Sequence, residues 1–375
     1  MNQMWKECIL GDVVNLKRGY DLPNQNRKSG EIPIFSSSGI TDYHDTAMKD
    51  GPGVITGRYG SIGKVFYTEN PYWPLNTTLY VQDFKGNFPK FIFYFLQCLD
   101  YEKYSDKSAV PGINRNELHE EKVIIPPYVE QTYIAELLSS LDDKIDLLHC
   151  QNKILEQLSE TLFRKHFLEI NTHENLVSLG EYVKCFNGVS YKSNELKASK
   201  NALVTLKNFD RNGGFRLDGF KEFSGKFKQH QVVEEGDLIV AHTDITQEAE
   251  VIGNPVLVVS DPRHDLLIIS MDLVKVIPLF DWFSIEFIYQ LMLTREFKYH
   301  CLGNSNGSTV LHLNKTAIPS FEFQLPLALE IQNYTSIVKP IINKKFKNIT
   351  QIRTLTQLRD TLLPKLMTGE IRVKC

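Results

Sequence analysis

The sequence predicts an α+β chain in which two globular α/β domains are separated by two long helices, the whole forming an internal pseudo-two-fold repeat. Three observations carry this. From Glu130 to Phe167, apolar residues recur at Ile134, Leu138, Leu141, Ile145, Leu148, Leu155, Leu158 and Leu162, with Asn152 at the one skipped place. Steps of three and four give a seam close to the coiled-coil period, on a helix roughly 55–60 Å long that needs a partner rod. Second, adding 200 to these positions lands on a matching stretch, Glu330 to Met367, without a gap; Glu130, Lys144, Gln151 and Leu155 fall on Glu330, Lys344, Gln351 and Leu355. The offset also holds upstream, where Ser108, Val110, Asn114 and Pro126 fall on Ser308, Val310, Asn314 and Pro326, so the chain is two copies of one unit. Third, residues 130–167 carry seven acids and four bases, net −3, whereas 331–375 carry nine bases and two acids, net +7. Opposite charge favours the rods lying together, and Asn152 in the seam fixes their register. The competing expectation is that each helix caps its own domain. Pro340 kinks the second helix or marks its start.

These observations divide the chain into a first domain at 1–128, a first helix at 129–170, a second domain at 171–328 and a second helix with its tail at 329–375. The first domain opens on Leu10-Gly11-Asp12 and the second on Leu179-Gly180-Glu181. Between opening and helix, β-branched and aromatic residues alternate and are broken by Gly and Pro, which predicts short strands with tight turns. A short helix (FPKFIFYFLQCL and DWFSIEFIYQLML) precedes each return segment. Asn171–Glu174 is the linker candidate.

Composition is that of an ordinary globular protein, 42% hydrophobic and 23% charged. A net charge of −3 excludes a uniformly basic nucleic-acid binder, but residues 181–230 hold ten bases against five acids, a candidate phosphate-facing surface. Six scattered cysteines without CxxC spacing fit neither a zinc site nor a disulfide framework and suit a reducing cytoplasm. No signal layout or membrane-length apolar run is expected.

No catalytic constellation emerges. Gly57 to Lys64 (GRYGSIGK) has the wrong spacing for a phosphate loop, and Val65 stands where Ser or Thr is required. Asn70-Pro71-Tyr72-Trp73 and Ile125-Pro126-Pro127-Tyr128 are fragments of an adenine methyltransferase motif and are expected to be turns. His242 with Asp244 is one acid–base pair without a second element. A recognition or scaffold subunit is the expectation.

The repeat, the LGD and LGE openings, the SAVPGINRNEL and GSTVLHLNKTAI returns, IPPYVEQTYIAELLSSLDDKI and the terminal LRDTLLPKLMTGEI together resemble the DNA-specificity subunit of type I restriction–modification enzymes. The resemblance covers nearly the whole chain. It implies a cytoplasmic, non-catalytic subunit with two target-recognition domains, each reading one half of a split double-stranded DNA sequence. It also implies an antiparallel coiled-coil spacer that docks two modification subunits, which bind S-adenosylmethionine and methylate adenine. Restriction subunits join through those, so ATP and Mg are expected in partner subunits and no cofactor or metal in this chain. The implied DNA contacts are loop residues: Lys17, Arg18, Tyr20, Ser36, Ser37, Ser38, Arg58, Tyr59, Ser61 and Lys64, with Asn76, Thr77 and Thr78 behind them. In the second domain they are Lys184, Asn187, Ser190, Tyr191, Lys192, Lys207, Asn208, His242, Thr243, Asp244, Asn306, Ser308 and Thr309. The second copy departs at Ile331, where the first has Gln131. Alternatives are the specificity subunit of a methylation-only complex, a coiled-coil scaffold binding protein or peptide, and a catalytic DNA enzyme.

Overall fold

The computed structural model describes residues 5–104, 112–169, 175–211, 213–246, 248–307 and 309–373. Ser108, Val110, Asn171–Glu174 and Ser308 lie outside them. The chain divides into a first unit, Met1–His149 with Thr350–Cys375, and a second, Cys150–Ile349.

The first unit begins with β1 (Lys6–Ile9), the one-turn α1 (Leu10–Val13), β2 (Asn15–Arg18), β3 (Ile32–Ser36) and β4 (Gly39–His44). It continues through β5 (Gly53–Gly57), β6 (Val65–Thr68), β7 (Trp73–Pro74), β8 (Thr78–Asp83), α2 (Pro89–Gln97), α3 (Arg115–His119) and β9 (Lys122–Ile125), then enters α4 (Tyr128–Phe163). The main sheet is antiparallel in the order β2-β8-β5-β6; β4-β3-β7 forms a smaller sheet, and β1 pairs with β9. Val54, Leu79 and Val81 of the sheet pack on Phe91, Ile92 and Phe95 of α2, and Ile134 and Leu138 of α4 join the same core. Burying such side chains contributes about 1.5–3 kcal/mol each.

The second unit runs through β10 (Leu176–Ser178), β11 (Val183–Asn187), β12 (Asn201–Val204), β13 (Lys221–Glu222), β14 (Val232–Val233), β15 (Leu238–Ala241) and β16 (Thr243–Asp244). Then come β17 (Pro255–Leu257), β18 (Leu266–Ile269), β19 (Leu273–Pro278), α5 (Ile285–Met292), α6 (Arg295–Gly303), β20 (Ser305–Asn306), β21 (Leu311–Leu313), β22 (Glu322–Gln324) and α7 (Ala328–Met367). Its antiparallel sheet β11-β19-β15-β17 repeats the strand order of the first unit, and β10 pairs with β22 as β1 does with β9. One glycine marks the same point in both copies. After β2, Gly19 lies so close to the backbone that a Cβ would stand 2.2 Å from the Leu75 carbonyl; after β11, the Cβ at Gly188 would stand 2.1 Å from that of Ser270. The next residue donates to a carbonyl at 2.8 Å in each case, Tyr20 to Pro74 and Val189 to Ile269. Only glycine permits that approach.

Within each unit the two long helices lie side by side and antiparallel. In the first, Arg372 forms a bidentate pair with the buried Glu130 at 2.6 and 2.7 Å, and Arg359 meets Asp142 at 2.7 Å. In the second, Lys345 meets Glu156, and Asn348 donates to Asn152 at 2.9 Å inside the seam. The charge difference and Asn152 therefore act as the sequence suggests. Three details are corrected. Leu158 is 44% exposed, because Ser159 and Phe163 take the buried positions on the last turns. The α-helical part of the first rod stops at Phe163 and passes into a π-helical turn, Arg164–Leu168. The second rod starts at Ala328, where the Glu330 carboxylate accepts from the Leu327 N–H at 2.8 Å, and it runs through Pro340, whose missing N–H falls on an exposed face.

Candidate nucleic-acid interface

In the first unit, β2 delivers Lys17 and Arg18, and the hairpin between β5 and β6 delivers Arg58 and Tyr59. The hairpin is tight because Gly57 leaves no room for a side chain; a Cβ would lie 2.0 Å from the Ser61 carbonyl. Gly60 and Gly63 hold φ of +79° and +78°. The Arg58 N–H donates to the Thr77 carbonyl at 2.9 Å, and the Arg58 carbonyl accepts from the Ile113 N–H at 3.0 Å, so its backbone is fixed on both sides. Its guanidinium lies 4.5 Å over the Tyr59 ring. Among the described residues Arg58 has no carboxylate partner. A concavity of about 650 Å³ gathers Lys17, Arg18, Tyr20, Arg58 and Tyr59 with Asn114, Arg115 and Asn116. Tyr20 shares a 2.8 Å hydrogen bond with the buried Tyr80. That bond, with help from Lys49 and Lys17, pulls the Tyr20 phenol below its ordinary value against the effect of burial.

The remaining expected residues of this unit lie outside that concavity. The Ser36 and Ser38 hydroxyls bond each other at 2.9 Å and close the β3–β4 turn, which brings Ser37 against the glycines of the Arg58 hairpin. Ser61 is part-buried and Lys64 exposed on that hairpin. Asn76 donates to Asp21, which also meets Arg18 at 3.5 Å. Thr77 supplies the carbonyl that ties Arg58. Thr78 is fully buried with its hydroxyl on the Leu75 carbonyl, which corrects it to a framework residue.

In the second unit the position of Arg58 is taken by His242. Its N–H donates to the Asp272 carbonyl at 2.7 Å, and its carbonyl accepts from the Leu313 N–H at 2.8 Å, 200 positions after Ile113. Its Nε2 is buried without a hydrogen-bond partner among the described residues. Burial, then His312 and Lys315, push the imidazole below its ordinary pKa. Asp244 does not pair with it. Its buried carboxylate accepts from Thr246 N and Oγ1 (2.7 Å each), Val251 N (2.6 Å) and Ile252 N (2.8 Å). Burial raises its pKa, but these hydrogen bonds together outweigh it and leave the carboxyl lowered. Asn208 is likewise buried, accepting from Thr205 N and donating to the Arg216 carbonyl, both at 2.9 Å. Thr243 is buried, 3.5 Å from His312 Nδ1. Asn208, Thr243 and Asp244 are thus corrected to framework residues.

A concavity of about 440 Å³ gathers Lys207, Arg211, Arg216, Asp218, Ile245 and Thr246. Lys184, Asn187, Ser190 and Lys192 are exposed on and after β11, with Lys184 5.1 Å over the Phe186 ring and Lys221 3.5 Å from the Tyr191 hydroxyl. Asn306 and Thr309 are exposed near β20. None of these lines the concavity. The sequence reading missed Arg115 in one unit and Ile245 in the other; Arg211 and Arg216 belong to the basic stretch 181–230 that it marked as a candidate phosphate-facing surface. The repeat carried a signal for Arg115, since Asn114-Arg115-Asn116 falls on Asn314-Lys315-Thr316. Among the described residues no His, Cys, Asp or Glu cluster could hold a metal ion, and no helix is long and apolar enough to cross a membrane.

Residues 2–157 match the family model for the type I restriction modification DNA specificity domain. The chain is 25% identical over 383 residues to the type I restriction enzyme MjaIX specificity subunit of Methanocaldococcus jannaschii, covering 91% of this chain and 84% of that protein. It is 23% identical over 468 residues to the HindI specificity subunit of Haemophilus influenzae, covering 98% and 99%. The crystal structure of a type I restriction–modification S subunit from M. genitalium superposes with a TM-score of 0.68 at 18% identity, over 98% of this chain and 97% of that one, and so shares the fold. Over nearly its whole length the chain is thus similar to specificity subunits of type I restriction–modification enzymes.

Proposed function

We propose that this chain is the sequence-reading subunit of a type I restriction–modification assembly, with one domain facing each half of a split duplex target. The domains are 1–128 and 171–328, and the helices at 129–170 and 329–375 set the half-site spacing. The observation that carries the reading is Arg58. A guanidinium without a carboxylate partner among the described residues, on a backbone tied at both ends and ringed by Lys17, Arg18 and Arg115, is suited to the O6 and N7 of guanine, with its neighbours on phosphates. In the second domain Lys207, Arg211 and Arg216 take the phosphate-facing role.

The paired helices dock two modification subunits. Tyr133, Leu137 and Leu147 in the first unit, and Ile154 and Leu158 in the second, are 39–56% exposed on α4. Their separations of four, ten, seven and four residues fit a second apolar stripe at the coiled-coil period, left over after the buried seam is filled. S-adenosylmethionine chemistry belongs to those subunits, and ATP and Mg to the restriction subunits that join through them; adenine methylation in the cytoplasm is the outcome. With a net charge of −3, this chain gains much of its DNA affinity from the assembly.

The test is competitive binding of the assembled complex to duplexes with either half-site scrambled. Loss of binding from either change supports the reading; indifference to one half contradicts it. Inserting one heptad into both helices is expected to change the preferred spacing in methylome sequencing.

A further inference from the structure

Ile245 is 71% exposed, the most of any large apolar side chain among the described residues. It does not ride on a loose loop. On one side stands the buried Asp244 with its four hydrogen bonds to residues 246–252. On the other, the Lys298 ammonium of α6 donates to the carbonyls of Ala249 (3.1 Å), Glu250 (3.2 Å) and Ile252 (2.7 Å) and to Asn254 Oδ1 (2.8 Å). Ala249 is held at φ +53°, which alanine rarely adopts. Withdrawing a carboxylate and an ammonium from water to hold residues 246, 249–252 and 254 is costly. Display of a solvated side chain does not require it, whereas presentation of Ile245 in one fixed place does.

The surroundings say what Ile245 meets. It lines the same concavity as Lys207, Arg211 and Arg216. Arg211 is exposed and lies 3.4 Å from the half-buried Glu250, and Arg216 pairs with Asp218 at 2.6 Å in a bridge exposed on both sides, of the kind that contributes little. Lys207 has no carboxylate partner among the described residues. An apolar side chain set among phosphate-facing cations finds one apolar group on the base edges of a duplex, the C5 methyl of a pyrimidine in the major groove. Isoleucine, stiff at χ1, holds its methyl groups in one place against it.

Resting on the reading of this domain as DNA-facing, we propose that Ile245 is a specificity-determining residue that packs on a pyrimidine C5 methyl, of thymine or 5-methylcytosine, in the half-site read by the second domain.

The test uses the full chain assembled with its modification subunits, as wild type and as Ile245→Ala, an exposed change that leaves the core intact. Dissociation constants are measured for duplexes in which each thymine of that half-site is replaced by uracil, and each cytosine by 5-methylcytosine. Removal of one methyl is expected to weaken wild-type binding about three- to tenfold, and Ile245→Ala to abolish that dependence. The arm that responds names the base. A wild type indifferent to every methyl, or a variant with undiminished dependence, overturns the proposal. If wild type no longer prefers its target to scrambled DNA, the DNA-reading role itself fails; if that preference stands without methyl dependence, only the role of Ile245 does.

Discussion

The two units build the same strand order and then present different chemistry from it. In the first, the loop between β5 and β6 has seven residues, 58–64, and is made tight by glycine. It offers Arg58, a permanent cation. In the second, the corresponding segment between β15 and β17 is longer, 242–254, and is held by Asp244 and Lys298 as well as by Gly253 at φ +74°. It carries His242, whose imidazole burial holds below its ordinary pKa, and the exposed, apolar Ile245. Gly19 and Gly188, which fix the scaffold, are alike; the loops between these strands are not. Scaffold positions answer to backbone geometry, whereas surface loops vary more freely and can carry different chemistry.

That contrast can be broken most forcefully at Asp244. Asp244→Ala leaves the Val251 and Ile252 N–H groups buried without an acceptor. It is expected to cost about 2–4 kcal/mol in urea denaturation and to remove discrimination in the second half-site only. Because the folded carboxyl lies below its ordinary value, its contribution is present above about pH 4 and lost as pH falls through the folded value. Wild-type and variant stabilities should therefore converge in acid; a constant gap would contradict the assignment.

The helix pair gives the next effect. Asn348→Leu strands Asn152 in the seam and is expected to cost about 1–3 kcal/mol, while Asn152→Leu with Asn348→Leu recovers most of that loss. Additive losses in a double-mutant cycle would mean the two amides do not depend on each other. The smallest effect is expected at His242. Its imidazole is held below its ordinary value, so the unfolded chain takes up the proton first and stability falls as pH drops below about 6.5. His242→Gln should flatten that decline in denaturation curves at two pH values, whereas Arg58→Gln should leave it unchanged.

The rods were legible because their buried seam repeats at a fixed period, and the two-copy plan because the offset of 200 persists through motifs and helices alike. The failures have local causes. Leu158 satisfies the period, yet the aromatic Phe163, packed with Phe167, Phe287 and Tyr334, turns a neighbouring face inward. Asn348 was not recognised as the partner of Asn152, because periodicity gives one helix's seam but not the register of two. Gln131 binds Asn87 and Phe88 in the first unit, whereas Ile331 in the second is buried and Ser284 meets Thr335 at 2.6 Å instead. The departure at that position exchanges one polar network for a buried apolar side chain and a separate hydroxyl pair. Thr78, Asn208, Thr243 and Asp244 have the composition of a binding loop, but composition does not say whether a polar group faces water or the backbone of its own turn. Ile245 reaches its concavity through contacts that no local pattern announces, whereas Arg115 was signalled only by the repeat and Arg211 and Arg216 only by the charge of their stretch.

The central claim, one domain for each half of the target, is tested most directly by Arg58→Ala in the assembled complex, titrated against the intact duplex and against duplexes altered in either half. The account predicts a roughly tenfold or greater loss on the intact target, little further loss when the first half is altered, and full sensitivity to the second. Equal sensitivity to both halves, unchanged from wild type, would contradict it.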